Sequence, residues 1–532
     1  MIRYSLMVWI LLLCSYANGI CHYYPSINEV RCTNANSVKD INISINKIII
    51  EENIDPRYYF YTLLLQTSNL DEIILSSIDA SPYFKKVQIS NSNIKQLTGG
   101  TFKNLSSLED ISIKTVTIEE LDRDVFNGLQ GLKELRLEYE SKLEPTTAEL
   151  FQDMPNLRKL YLHKHMEHVK DNDFSSLLYL EELDLSSSQI KGLSKNSFSN
   201  LQFLEKLSLK NNSIPTLCSG NFKDLKNLKA LYLSKNNLVD LAEGVFDGLR
   251  SLEGLYLEHN RIGTLRSSNF IGLRSLAWLF LAYNTLSDIP QNLFAEISNL
   301  KNLDLSFNKI QSVCEQFKNL NNLIQLSLNN NNVTDIKTNC FENLYMLRIL
   351  SLNYNNIQNV DKDAFKNLPN LDSLFLQENE LTVLKNGIFQ NVPVLRVLDI
   401  SGNKLNVIEE NCFQGLKSLA YLKLGNNEIT DLPLNVFKNL SSLKGLHLGH
   451  NSLLQLKYGM FKDLSSLTLL ELHENKIISF EYGCFRGLGK LERLSLKGNN
   501  LSTLSPNHFE GLVNLRYFLM DELYNIFHKH TL

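Results

Sequence analysis

Beyond its first few residues, the chain lacks any apolar run long enough to cross a bilayer. The densest later stretch, Tyr58 to Leu65, is eight residues, against the about twenty that a spanning helix needs, so no transmembrane segment is expected. Charge of one sign is missing too. The 53 Lys and Arg against 57 Asp and Glu leave a net charge of −4, with no basic stripe and no charged block. A nucleic-acid partner is therefore not expected, and electrostatics selects no other. Catalytic signatures are also absent: there is no HExxH, no phosphate-binding glycine loop, no G-x-S-x-G elbow and no paired carboxylates in a recognisable setting. The expectation is a protein that is not an enzyme and carries no cofactor.

What is present begins at the N-terminus. Arg3 precedes the apolar run Leu6 to Leu13, and small residues Ala17 and Gly19 stand at the −3 and −1 positions of a cleavage site after Gly19. This is the layout of a secretory signal peptide over residues 1–19. The competing reading, an uncleaved anchor helix, is disfavoured because the run is too short. Six Asn-x-Ser/Thr sequons, at Asn42, Asn104, Asn211, Asn332, Asn439 and Asn500, fit an extracellular route and are candidate glycosylation sites. Of the eight cysteines, Cys14 leaves with the signal. Cys21 and Cys32, just past the cleavage site, are the expected disulfide in an oxidising compartment. Cys340, Cys412 and Cys484 recur at multiples of three repeats, about 15 Å at strand spacing, too far to bond one another. Cys218 and Cys314 share another repeat position. Cys314 and Cys340, in adjacent repeats, are the one pair worth checking, and all five are read as buried apolar substitutes with no disulfide pattern.

The dominant feature is a repeat. LEKLSLKNNSI from Leu204, LKALYLSKNNL from Leu228 and LEGLYLEHNRI from Leu252 return every 24 residues. The asparagine recurs from Asn212 and Asn236 through Asn475 and Asn499, and a phenylalanine keeps the same period from Phe102 to Phe509. The LxL core alternates, so its leucines point inward and the intervening residues outward, as in a strand. Asparagine both donates and accepts, so it can satisfy backbone groups in the turn leaving each strand. The phenylalanines fill the wider side as a spine. In the less regular N-terminal third, Ser92, Val116, Glu140, His165 and Ser188 stand where asparagine is expected, and His165 should point inward.

These residues resemble the typical extracellular class of leucine-rich repeat over about residues 65–523. The chain is similar to the repeat regions of Toll-type receptors, Slit and the acid-labile subunit. The resemblance implies an α/β solenoid of about 19–20 repeats: a horseshoe with a concave parallel sheet and an irregular or short-helical convex side. The expected domains are the signal peptide, residues 1–19; an N-terminal cap with divergent first strands, 20–64; the solenoid, 65–523; and a short tail, 524–532, without a cysteine cap. The cap lacks the four-cysteine cluster of its relatives.

Such proteins are secreted to the extracellular space or matrix and bind protein ligands or receptors on the concave face, in recognition, adhesion or innate immunity. The outward positions of the middle repeats mark a candidate site: Tyr232, Tyr256, Trp278, Phe280, Tyr283, Phe307, Tyr354 and Phe375. Aromatic anchors among polar neighbours are typical of protein-binding hot spots, although strands favour aromatics for packing as well. Two histidine groups, His163 with His165 and His168, and His447 and His450 with Glu471 and His473, read as solvated surface, and no metal is expected. Two alternatives stay open. One is a membrane-receptor ectodomain ending before its transmembrane segment. The other is a matrix protein that self-assembles, as a homodimer or longer, through an uncapped C-terminal end.

Overall fold

A computed structural model describes residues 20–521, apart from 104, 144–145, 153 and 502–504. The signal segment, the sequon asparagine Asn104 and the tail 524–532 lie outside the described residues. The chain divides into two compact units. The first runs to Leu238 and takes in Ala242–Leu252; the second takes Val239–Leu241 and runs on from Glu253. Each is a stack of short parallel strands joined by turns.

The first unit opens with an antiparallel hairpin, Cys21–Tyr24 against Glu29–Thr33, whose register sets Cys21 opposite Cys32. Their sulfurs are bonded, with Cα atoms 4.0 Å apart. A helix, Val38–Glu51, follows. Ser37 caps it by accepting from the Asp40 backbone N–H at 3.1 Å, and Val38, Ile41 and Ile45 form its buried stripe. Parallel pairing then begins, Glu29–Thr33 against Thr62–Gln66 and onward to Lys86–Ser90. At this level the turn is held by serines. Ala35 N–H donates to Ser68 Oγ, and Ser68 N–H donates to Ser92 Oγ, both at 3.1 Å.

Two residues placed in ladder slots by the sequence pattern sit elsewhere. The long strands Asp110–Leu121 and Glu134–Leu143 slip by one residue between Lys114 and Val116. That sets Tyr139 opposite Val116, buried, and turns Glu140 out to solvent. His165, expected to point inward, is exposed; its neighbour Met166 is buried instead and donates its backbone N–H to Ser188 O at 2.8 Å. Both departures follow from uneven repeat length, because a one-residue shift moves every side chain to the other face.

From Asn212 on, the frame is regular apart from one repeat, ending at Asn331, that is one residue short. In the second unit Asn308 Nδ2 donates to the carbonyls of Leu305 in its own repeat and Leu281 in the one before, at 3.1 and 3.0 Å. Its Oδ1 accepts from Leu286 N–H at 3.0 Å. Each ladder asparagine thus satisfies polar groups of two repeats in an apolar interior, where leaving one unpaired costs about 1–3 kcal/mol. On the opposite side, phenylalanine rings stack from Phe270 through Phe294 and Phe317, with centroids 6.5 and 6.0 Å apart. In the first unit the stack already includes Phe60 on Phe84, ahead of the period read from the sequence.

One further expectation is corrected. Cys314 and Cys340 are disulfide-bonded, with Cα atoms 4.0 Å apart. The repeat between Asn308 and Asn331 is one residue shorter than its neighbours, the missing residue falling between Cys314 and Phe317, and Cys340 stands in the slot before Phe341 of the next repeat. Among the described residues Cys412 and Cys484 are free and buried, as apolar substitutes are, while Cys218 is free but exposed.

Candidate binding face

Strand pairing arranges the outward residues in rows. In the second unit one row runs Tyr256, Phe280, Asp304, Ser327, Ser351, Phe375. The Tyr256 and Phe280 rings are stacked, 5.1 Å between centroids. The ring of Tyr256 leans over Gly254, where a Cβ would lie 2.9 Å from it. Trp278 stands in the parallel row between Gly254 and Asn302 and is 36% exposed.

Tyr283, Phe307 and Tyr354 are not on the strands, which end at Phe280, Asp304 and Ser351. They occupy the turn immediately before the ladder asparagine, where the backbone is left-handed: φ is 55° at Tyr283, 53° at Phe307 and 54° at Tyr354. This position is uncommon for bulky residues. The turn projects them from the edge of the strand face, and they are 43%, 37% and 52% exposed. His259 holds the same slot one repeat earlier, with φ 56°, and was missed in the sequence; its place next to Asn260 was the available signal. His259, Tyr283 and Phe307 form a three-ring stack with spacings of 4.2 and 4.0 Å. Beside it lies a shallow recess that Lys309 and Asn330 also line.

Seven of the eight aromatic residues singled out in the sequence therefore belong to the second unit. The eighth, Tyr232, belongs to the first, half-buried with Lys206 Nζ 5.8 Å from its ring centre. The strand face of the first unit carries paired charges. Lys86 meets Asp110 at 2.7 Å, Arg136 meets Glu134 at 2.6 Å and Lys206 meets Glu182 at 2.6 Å. The Arg136 guanidinium also lies 3.7 Å over the Tyr161 ring. Burial, with Glu182 alongside, pushes the Tyr161 phenol up to about 12. Burial also raises the Asp184 carboxyl, but hydrogen bonds from His163 and Ser186 outweigh it and hold the group at about 2.

Of the histidine groups, His163 Nε2 lies 3.2 Å from Ser186 Oγ, while His165 and His168 face solvent. His447 Nδ1 is 2.6 Å from Glu471 Oε2, and the His450 and His473 rings meet edge to face at 5.0 Å. Among the described residues no group of three or more His, Cys, Asp or Glu is arranged to hold a metal ion. Nor is any described helix long and apolar enough to cross a membrane.

Parallel strands, an asparagine ladder and a phenylalanine spine repeated at 24 residues define a leucine-rich-repeat solenoid. The leucine rich repeat family model matches residues 82–141, 155–214, 202–262, 251–310, 298–357, 321–381, 345–405, 369–429, 418–477 and 466–522. The chain belongs to that family. No curated protein matches it significantly. Among solved structures, a leucine-rich-repeat protein of Leptospira interrogans is 27% identical, covering 70% of this chain and 91% of that one, with a TM-score of 0.58. Toll, in the Drosophila Toll–Spatzle complex, is 20% identical over 88% of this chain, with a TM-score of 0.67. This chain spans 64% of that one, less than two thirds of its length. A plant peptide hormone receptor, RGFR1, in complex with RGF2, is 21% identical, covering 87% and 79% of the two chains, with a TM-score of 0.59. These last two likenesses are of fold.

Proposed function

We propose that this protein is secreted and binds a protein ligand through the aromatic stretch on the strand face of its second unit. The observation that carries the reading is the aromatic set formed by half-buried Tyr256 on Phe280, by His259, Tyr283 and Phe307 in the turn row on one side of them, and by Trp278 in the strand row on the other. Left uncovered, contiguous aromatic surface of this kind marks an interaction site. Tyrosine, tryptophan and phenylalanine anchors dominate the energetics of protein interfaces.

Sugar placement supports the same face. In the second unit the sequon asparagines Asn332, Asn439 and Asn500 are exposed and lie off the strands, so glycans on them leave the strand face open, while Asn211, in the first unit, holds the left-handed slot before ladder Asn212. Asn42 differs: its side chain exchanges two hydrogen bonds with Asp79, at 3.3 and 3.0 Å. The N-terminal segment and the Cys21–Cys32 bond support an extracellular route. Two of the similar structures are complexes, Toll with Spatzle and RGFR1 with RGF2. Recognition, adhesion and innate immunity are the roles this reading admits.

The test is partner capture by the secreted chain. Replacing Tyr256, Phe280 and Phe375 together with Ser should leave secretion and the unfolding temperature unchanged and abolish capture. Undiminished capture by that variant removes the aromatic stretch as the site.

A further inference from the structure

The proposed site has a distinct middle. Between Phe280 and Phe375 the row drops to Asp304, Ser327 and Ser351, so two phenylalanines stand at the ends of a floor of small residues. Asp304 is the one charged residue of that row segment, and its Oδ1 accepts from the Ser306 backbone N–H at 2.9 Å. Amides flank the floor. Asn302 and Gln325 are joined at 3.3 Å. The half-buried side chains of Asn329 and Asn353 make no hydrogen bond among the described residues. Gln377 Oε1 is buried and likewise has no hydrogen-bond partner in the described structure.

We infer that this floor takes an extended, uncharged polypeptide segment bearing two bulky apolar side chains about six residues apart. The inference rests on the proposed reading of the face and adds the chemistry of the ligand. Carboxamides donate and accept together, so a row of them matches the alternating N–H and C=O groups of an extended backbone. A helix hides those groups within itself and leaves the amides unanswered. A charged segment brings ions onto a floor with almost nothing to pair them, a desolvation cost without compensation.

The spacing follows from the sheet. Four strand intervals of about 4.8 Å place Phe280 and Phe375 about 19 Å apart, which an extended chain rising about 3.3 Å per residue covers in about six residues. Six is even, so both anchor side chains leave the same side of the segment and can sit against the two phenylalanines.

Trp278 supplies the readout, since the sequence's other tryptophan, Trp9, lies in the leader. The probe is a capped heptapeptide with phenylalanine at each end and alternating serine and threonine between, titrated into the secreted chain while tryptophan emission is followed. Saturable binding is expected. It should weaken about tenfold or more when two central residues are deleted, when two central amides are N-methylated, or when Asn329→Ala, Asn353→Ala and Gln377→Ala are combined. Equal response to all these changes, or no binding by the parent peptide, overturns the inference. The amide-substituted chain is also put through partner capture. Capture lost with the aromatic substitutions but unchanged with the amide ones leaves the binding face standing and removes the extended segment. Capture unchanged by both removes both.

Discussion

The two units build the same frame and cover it differently. On the strand face of the first, Lys86, Asp110, Glu134, Arg136, Glu182 and Lys206 pair with one another, and tyrosines lie under their cations. In the second unit the repeats from Tyr256 to Phe375 hold Tyr256, Trp278, Phe280 and Phe375 among serines and amides, and charged pairs, Lys423 with Asp399 and His447 with Glu471, follow beyond them. A face of matched ion pairs already has its partners, and a ligand gains little by displacing them, because exposed pairs are individually weak and screened by salt. Stacked rings left in water gain by being covered. The frame is common to both units, so the difference lies in residues that the repeat itself leaves unconstrained.

The largest test of this contrast puts charge on the aromatic unit. Phe280→Glu with Phe307→Glu should weaken partner binding at least about a hundredfold, or roughly 3 kcal/mol, by surface plasmon resonance. A frame substitution should act on stability instead. Asn355→Ala leaves the Val333 N–H without its acceptor and takes one of two amide donors from the Leu328 and Leu352 carbonyls, which keep Asn331 and Asn379. About 2–3 kcal/mol of local stability should be lost, seen as faster amide exchange in those repeats.

Acid should act on the first unit. The Asp184 carboxyl is held at about 2 in the folded chain, below its unfolded value near 3.9. Its contribution, of order 2 kcal/mol, is complete above about pH 4 and disappears as pH falls towards 2. Asp184→Asn should flatten that part of the acid-unfolding profile, and a profile unchanged by the substitution would contradict the assignment. Smallest of all, Glu182→Ala with Lys206→Ala should change partner affinity by less than about twofold. A large loss there would bring the charged unit into the binding site and end the contrast.

The leucine, asparagine and phenylalanine positions were legible because each is dictated by burial and backbone satisfaction at a fixed period. The N-terminal third was harder to read, since one bulge near Val116 exchanges Tyr139 for Glu140. Adjacent repeats marked Cys314 and Cys340 as the pair to check, but they occupy different repeat slots, so spacing alone favoured buried thiols over the bond that forms. The aromatic stretch was found, but its geometry was not. Alternation assigns Tyr283, Phe307 and Tyr354 to a strand, whereas the left-handed turn before each ladder asparagine forms a second row at the edge and brings His259 into it.

The ladder also has a direction. Asn308 serves Leu286 and Leu281 of the repeat before it, and Asn331 does the same for Ile310 and Leu305. A repeat therefore has its carbonyl, such as that of Leu281, served first by its own asparagine, while the N–H after that asparagine, such as that of Leu286, is satisfied by its successor. During synthesis, when the N-terminal side is made first, the newest turn of the growing solenoid waits for the next asparagine to be added. Each repeat locks one step behind the chain that is still arriving, so the structure can grow in register without any long-range search.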